Sequence, residues 1–185
     1  LIEADVYEAV CYVVADIGTE YSELWDNDSR KVVVIWEIPS QRIEIPERGN
    51  LPRVISKRYN ISTHKKANLR KDCESWRGRP FTEEEIKAFE LKNLLGASCR
   101  LNIIQKPKND GTMKNEVGAV LPLKGKKLVP ENPMVLYGIE ENGLEIPAGL
   151  PPWVAEAIKK SPEYAELANP HDESEPPLKD EDIPF

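Results

Sequence analysis

A mainly β fold with one or two helices, its elements in the order β-β-β-α-β-β, is predicted by three observations. Two early stretches, Val6 to Asp16 and Lys31 to Ile38, are rich in Val, Ile and Tyr, whose branched or flat side chains suit a pleated surface. A third run, Arg53 to Ser62, follows the Gly49-Asn50 and Pro52 break. After Gly96 a period of two returns: Cys99, Leu101 and Ile103 share one face, and Asp110-Gly111 supplies a hairpin turn into Val117 to Leu121.

Val6 to Asp16 alternates, as a half-buried strand should, whereas Lys31 to Ile38 (KVVVIWEI) is apolar enough to be buried on much of both faces. Three strands in succession predict a meander. Leu69, Cys73 and Trp76 then fall at i, i+4 and i+7, the stripe of an amphipathic helix, with Ser62 or Thr63 as N-cap and Gly78 as stop. Thr82 and Glu85 form a capping box opening a second short helix, with Ile86 and Phe89 on its apolar side and Glu83 placed to pair with Lys87. Five strands with a helix between the third and fourth is the order of the OB-fold, a five-stranded barrel whose second and third strands and adjoining loops bind oligonucleotides. Other small barrels share that order. Pro151 and Pro152 precede Trp153 to Lys160, a short helix expected to pack back on the barrel. The expected organisation is therefore an OB-fold domain over 1–125, a C-terminal extension over 126–160, and a disordered acidic tail over 161–185.

That tail holds eight acids (Glu163, Glu166, Asp172, Glu173, Glu175, Asp180, Glu181, Asp182) against one base, Lys179, which accounts for the whole formal charge of −7. Residues 1–160 balance, so the acidic pI does not argue against nucleic acid. The distribution of bases decides. Cys11, Cys73 and Cys99 are odd in number and widely spaced, which indicates neither a disulfide framework nor a zinc site and fits a reducing cytoplasm. The apolar run Ala9 to Ala15, between Glu8 and Asp16, is too short for a membrane helix and lacks the basic flank of a signal peptide.

Between Arg53 and Arg79 stand nine bases (Arg53, Lys57, Arg58, Lys65, Lys66, Arg70, Lys71, Arg77, Arg79) and two acids, Asp72 and Glu74. A surface of that charge attracts polyphosphate by releasing condensed counterions. The plainer alternative is a solvated helix face balanced by Glu83 to Glu85. Binding a single strand of any sequence also needs flat π surfaces, each stacked base contributing about 1–3 kcal/mol. Trp36 shares its strand face with Val32, Val34 and Ile38, and Trp76 its helix face with Leu69 and Cys73, so core packing competes with stacking for both. Tyr59, beside Lys57 and Arg58, is the better stacking candidate. The candidate DNA-binding set is Arg53, Lys57, Arg58, Tyr59, Lys65, Lys66, Arg70, Arg77, Arg79, Arg100 and Trp36.

The chain ends in Asp180-Glu181-Asp182-Ile183-Pro184-Phe185, three carboxylates joined to an apolar anchor and a terminal carboxylate, a peptide suited to a basic, apolar-floored pocket on another protein. Idle acidic chain ends are also common. Catalytic and metal-binding residues are not expected. His64 and His171 are the only histidines, and neither a Walker loop nor a Gly-x-Gly-x-x-Gly is present, so no cofactor and no enzymatic activity is predicted.

Val54 to Tyr59, His64 to Asp72, Trp76 to Thr82 and Leu91 to Gly96 resemble a family of bacteriophage single-stranded DNA-binding replication proteins, over about Val6 to Leu123 with echoes at Trp153 to Tyr164. The terminal tip resembles that of bacterial single-stranded DNA-binding proteins. These resemblances imply an OB-type barrel that coats single-stranded DNA in the host cytoplasm and a tip that recruits replication and recombination proteins. The chain departs from the bacterial type in lacking a long Gly/Gln-rich linker, so a tetramer of that kind is not implied; a homodimer is one option. Two other classes compete: a strand-annealing or recombination-mediating protein, and a nuclease.

Overall fold

The structure, a computed structural model, describes residues 1–170. The tip Asp180 to Phe185 lies outside the described residues. Six strands, β1 (Asp5–Ser22), β2 (Asn27–Ile45), β3 (Gly49–Asn60), β4 (Ser98–Pro107), β5 (Met113–Leu121) and β6 (Val135–Tyr137), build one curled, mainly antiparallel sheet. Between β3 and β4 come helices α1 (Asn68–Arg77) and α2 (Glu83–Ala88) and a 3-10 turn, Leu91–Leu94. After β6 follow α3 (Ile139–Asn142), α4 (Pro152–Lys159) and α5 (Pro162–Ala168). The strand order is β3-β2-β1-β4-β5, and the sheet curls into a half-barrel that brings β3 towards β5.

The long first strand makes this shape. β1 pairs with β4 over Asp5 to Val10 and with β2 from Val10 to Ser22, and its register shifts between Cys11 and Val13. An extra residue in one strand bends it and resets which side chains face inward. Ala9, Cys11 and Val14 accordingly face one core, while Tyr12, Val13, Ala15 and Ile17 face another. Beyond Val10, which pairs with Ser98 at the start of β4, β6 takes over the free edge of β1 in parallel, Val13 opposite Val135 and Ala15 opposite Tyr137.

β2 is buried on both faces, as its unbroken apolar run requires. Val32, Val34, Trp36 and Ile38 enter the inner core with Ile55, Tyr59, Leu69, Cys73, Trp76, Cys99, Leu101 and Ile103. Val33 and Ile35 enter the outer core beneath Val135, Tyr137, Leu150, Val154 and Ile158 of the C-terminal extension. Trp36 is 0% exposed and packs 5.7 Å from the Trp76 ring. Truncating so buried an indole costs about 3–5 kcal/mol. The extension is fastened by Glu37, also fully buried, whose carboxylate accepts bonds from the Glu131 N–H (2.6 Å), the Asn132 N–H (3.1 Å) and Asn132 Nδ2 (2.8 Å). Three donors offset the cost of removing that charge from water.

The helix stop and the capping box lie where the sequence puts them. Gly78 is left-handed at φ 78° and closes α1, and Thr82 and Glu85 exchange their capping bonds at the start of α2. Other boundaries differ. α1 begins at Asn68 without a side-chain cap, because Ser62 and His64 are spent on an intervening turn in which the His64 N–H bonds Ser62 Oγ. Residues from Ser161 onward, expected as solvated arm, open instead with α5. Gly18, at φ +77°, has Ser161 where any Cβ would sit, and this close approach lets the Glu163 carboxylate accept from the Thr19 N–H at 3.0 Å and from the Thr19 hydroxyl. Among the described residues, no helix is long and apolar enough to cross a membrane.

Candidate nucleic-acid interface

Alternation along β3 divides the expected basic stretch. Ile55, Lys57 and Tyr59 turn inward, and Val54, Ser56, Arg58 and Asn60 turn outward. On the inner side, Asp72 of α1 accepts from Lys57 Nζ at 2.6 Å and from the Tyr59 hydroxyl at 2.7 Å. Tyr59 is 4% exposed, and burial together with Asp72 pushes its hydroxyl far above the usual phenol range. As a stacking platform Tyr59 is therefore corrected, and so is Trp36: each ring is packed on its faces by the inner core and offers none to a base. Lys57 lies on the Tyr59 ring and is tied to Asp72.

Arg70 is 8% exposed, its guanidinium bonded to Glu74 at 3.0 Å and to the Thr63 carbonyl at 3.0 Å. Its role is to hold the β3–α1 connection against the helix. Arg77 and Arg79 both pair with Glu85 of α2, and Arg77 also lies 4.3 Å from the Phe81 ring. Those bonds and the Thr82 N–H hold the Glu85 carboxyl down at about 2. Five of the nine bases are thus in ion pairs, with Asp72, Glu20, Glu74 and Glu85. The local charge of the folded surface is well below the count along the chain, because Glu20 and Glu85 arrive from elsewhere. Arg100 stands exposed on β4, beside Glu8 and Leu121 across the ladder, its Nε on the Pro122 carbonyl. Arg53 lines a separate groove with Arg48.

What the fold does bring together is a polar cleft of about 500 Å³ where β3 runs into α1, lined by Arg58, Tyr59, Asn60, Ser62, His64, Lys66, Ala67 and Asn68. No acid is among these residues. The Lys66 N–H bonds His64 Nδ1 at 3.2 Å. Lys65, next to Lys66, is exposed but outside the lining. Arg58 meets Glu20 at 2.8 Å and lies 5.4 Å from the ring of Trp153 on α4. Trp153 is 41% exposed, so the extension places a partly open indole beside a guanidinium at the rim of the cleft.

The sequence reading missed Trp153, which lies almost a hundred residues from Arg58 along the chain. Its signal was present: an aromatic opening a helix whose apolar positions, Val154 and Ile158, are elsewhere. The expected use of the second strand is also altered, because the extension covers the outward side chains Val33 and Ile35 and leaves only the outer row of β3 open. Among the described residues, no three His, Cys, Asp or Glu side chains are grouped to hold a metal ion. No family model, curated protein or solved structure matches the chain.

Proposed function

We propose that this protein binds single-stranded DNA without regard to sequence and protects it during phage DNA replication and recombination. The cleft of Arg58, His64 and Lys66, with no acid in its lining and Glu20 paired with Arg58, beside the partly open Trp153 ring, carries this reading. Cations spaced along a connection and a flat apolar face at the rim are the two parts a single strand needs, one for phosphates and one for a base. The curled sheet in the order β3-β2-β1-β4-β5, with α1 between β3 and β4, supports a five-stranded OB barrel, a fold often built around such sites. In this reading Asp180 to Phe185 recruits replication and recombination enzymes, and the protein works in the cytoplasm of a bacterial host.

The test is a fluorescence titration with oligo-dT, duplex DNA and magnesium. Oligo-dT quenches tryptophan emission, duplex binds weakly, and neither DNA is cut. Trp153→Phe removes most of the quenching, while Trp36, sealed in the core, contributes little. Equal affinity for duplex would refute the proposal. Faster pairing of complementary strands would mark an annealing protein, and metal-dependent cutting a nuclease.

A further inference from the structure

The turn between β1 and β2 projects three large apolar side chains into solvent: Tyr21, Leu24 and Trp25, the last two 82% and 74% exposed. Glu23, Asp26 and Asp28 surround them, Glu20 at the base of the turn being paired with Arg58, and no base falls between Glu20 and Ser29. This knob is pre-shaped. The Trp25 N–H bonds the Ser22 carbonyl, the Tyr21 hydroxyl bonds the Asp26 carboxylate, and Asp26 takes the left-handed conformation at φ 46°. A tryptophan carried on a turn whose backbone is already fixed loses less freedom on docking than one on a loose loop, and exposed tryptophans are enriched among the residues that dominate interfaces. Its acids repel phosphate, so a nucleic acid is the wrong occupant for it.

At the opposite end of β2 lies a groove of about 780 Å³ whose floor includes Ile43, Ile45, Leu51, Val54 and Leu150. The only charged side chains lining it among the described residues are Arg48 and Arg53, and neither is in an ion pair with another described residue. Apolar floor and cationic rim match the apolar tip and anionic collar of the knob. β2 runs for 19 residues from knob to groove, about 60 Å along the strand. One copy cannot fill its own groove with its own knob.

We propose that the Leu24-Trp25 knob of one molecule docks in the Arg48–Arg53 groove of a second copy. Two different patches at opposite ends of a molecule form a head-to-tail contact, which grows into an open chain unless the rotation between copies closes it into a ring. Such a chain would lay successive copies along a strand, but the contact needs no DNA.

Sedimentation velocity of the full chain without DNA, over a rising concentration series, tests it. The average mass climbs past that of a dimer. Trp25→Ala raises the concentration needed for association by at least about tenfold, equivalent to about 1.4 kcal/mol. Arg53→Glu does the same, with Val54→Asp as the substitute should Arg53→Glu disturb the circular dichroism. Mixing the Trp25→Ala and Arg53→Glu proteins gives dimers and nothing larger, since one keeps the groove and the other the knob. Deleting residues 171–185 changes nothing. The proposal is overturned by a wild type that stays monomeric, by association indifferent to Trp25→Ala, by a mixture that fails to pair, or by loss of association on tail deletion. A monomeric wild type whose Arg53→Glu variant loses oligonucleotide binding would make the groove a nucleic-acid site.

Discussion

On the inner side of β3, Lys57 and Tyr59 converge on Asp72 and fasten the curled sheet to α1. On the outer side, one residue away, Arg58 and Asn60 face the cleft that His64 and Lys66 complete. Residue types are alike on the two sides, but strand parity assigns one set to stability and the other to solvent. A cluster of bases along a strand therefore overstates the charge available to a ligand about twofold, since alternate side chains point away from each other.

The largest expected effect breaks the inner side alone. Asp72→Ala strands the buried Tyr59 hydroxyl and the Lys57 ammonium, lowering stability by about 1–3 kcal/mol in urea denaturation. Oligonucleotide affinity of the folded fraction stays the same. Next comes the outer pair. Arg58→Ala combined with Lys66→Ala leaves stability within about 0.5 kcal/mol per substitution and weakens oligo-dT binding, reducing the salt slope by about 1 for each phosphate no longer neutralised. If Asp72→Ala and the outer pair affect both quantities alike, the division of β3 is wrong.

A smaller effect has the opposite sign. Glu20 competes with phosphate for the Arg58 guanidinium, so Glu20→Gln tightens oligo-dT binding by about 0.2–1 kcal/mol, the range of exposed pairs. Unchanged affinity at low salt would remove Arg58 from the interface. Smallest is a local pH response at α2. The Glu85 carboxyl is held at about 2, chiefly by Arg77, below its ordinary 4.5. A depressed carboxylate contributes its stability above the ordinary value and loses it as pH falls through the lowered one. The α2 clamp therefore weakens between pH 4.5 and about 2, seen as a loss of amide protection at Glu85 and Ile86 relative to the intrinsic exchange rate at each pH, and Glu85→Gln shows the loosened state already at pH 7.

Much of the fold was legible because its signals are local. The apolar run of β2, the alternation of Cys99, Leu101 and Ile103, the stop at Gly78 and the capping box at Thr82 each depend on neighbours a few residues away. β6 and α5 were not, since three residues of parallel pairing and a helix docked through Glu163 on Thr19 draw their stability from distant partners. For the candidate site, Arg58 and Lys66 were legible as bases, whereas the burial of Tyr59 and Arg70 was not. A tyrosine among bases reads the same whether its ring faces water or a core.

By itself the sequence determined the mainly β character of this protein, the place of its helix, and the two-sided burial of its second strand, because hydrophobic period and turn chemistry act over short stretches of chain. Only the tertiary structure decided which bases stay free, that the C-terminal extension covers the outer face of β2, and that Trp153 comes to rest beside Arg58. Those outcomes depend on the bend in β1 and on carboxylates delivered from remote segments, and long-range packing of that kind leaves no periodic trace along the chain.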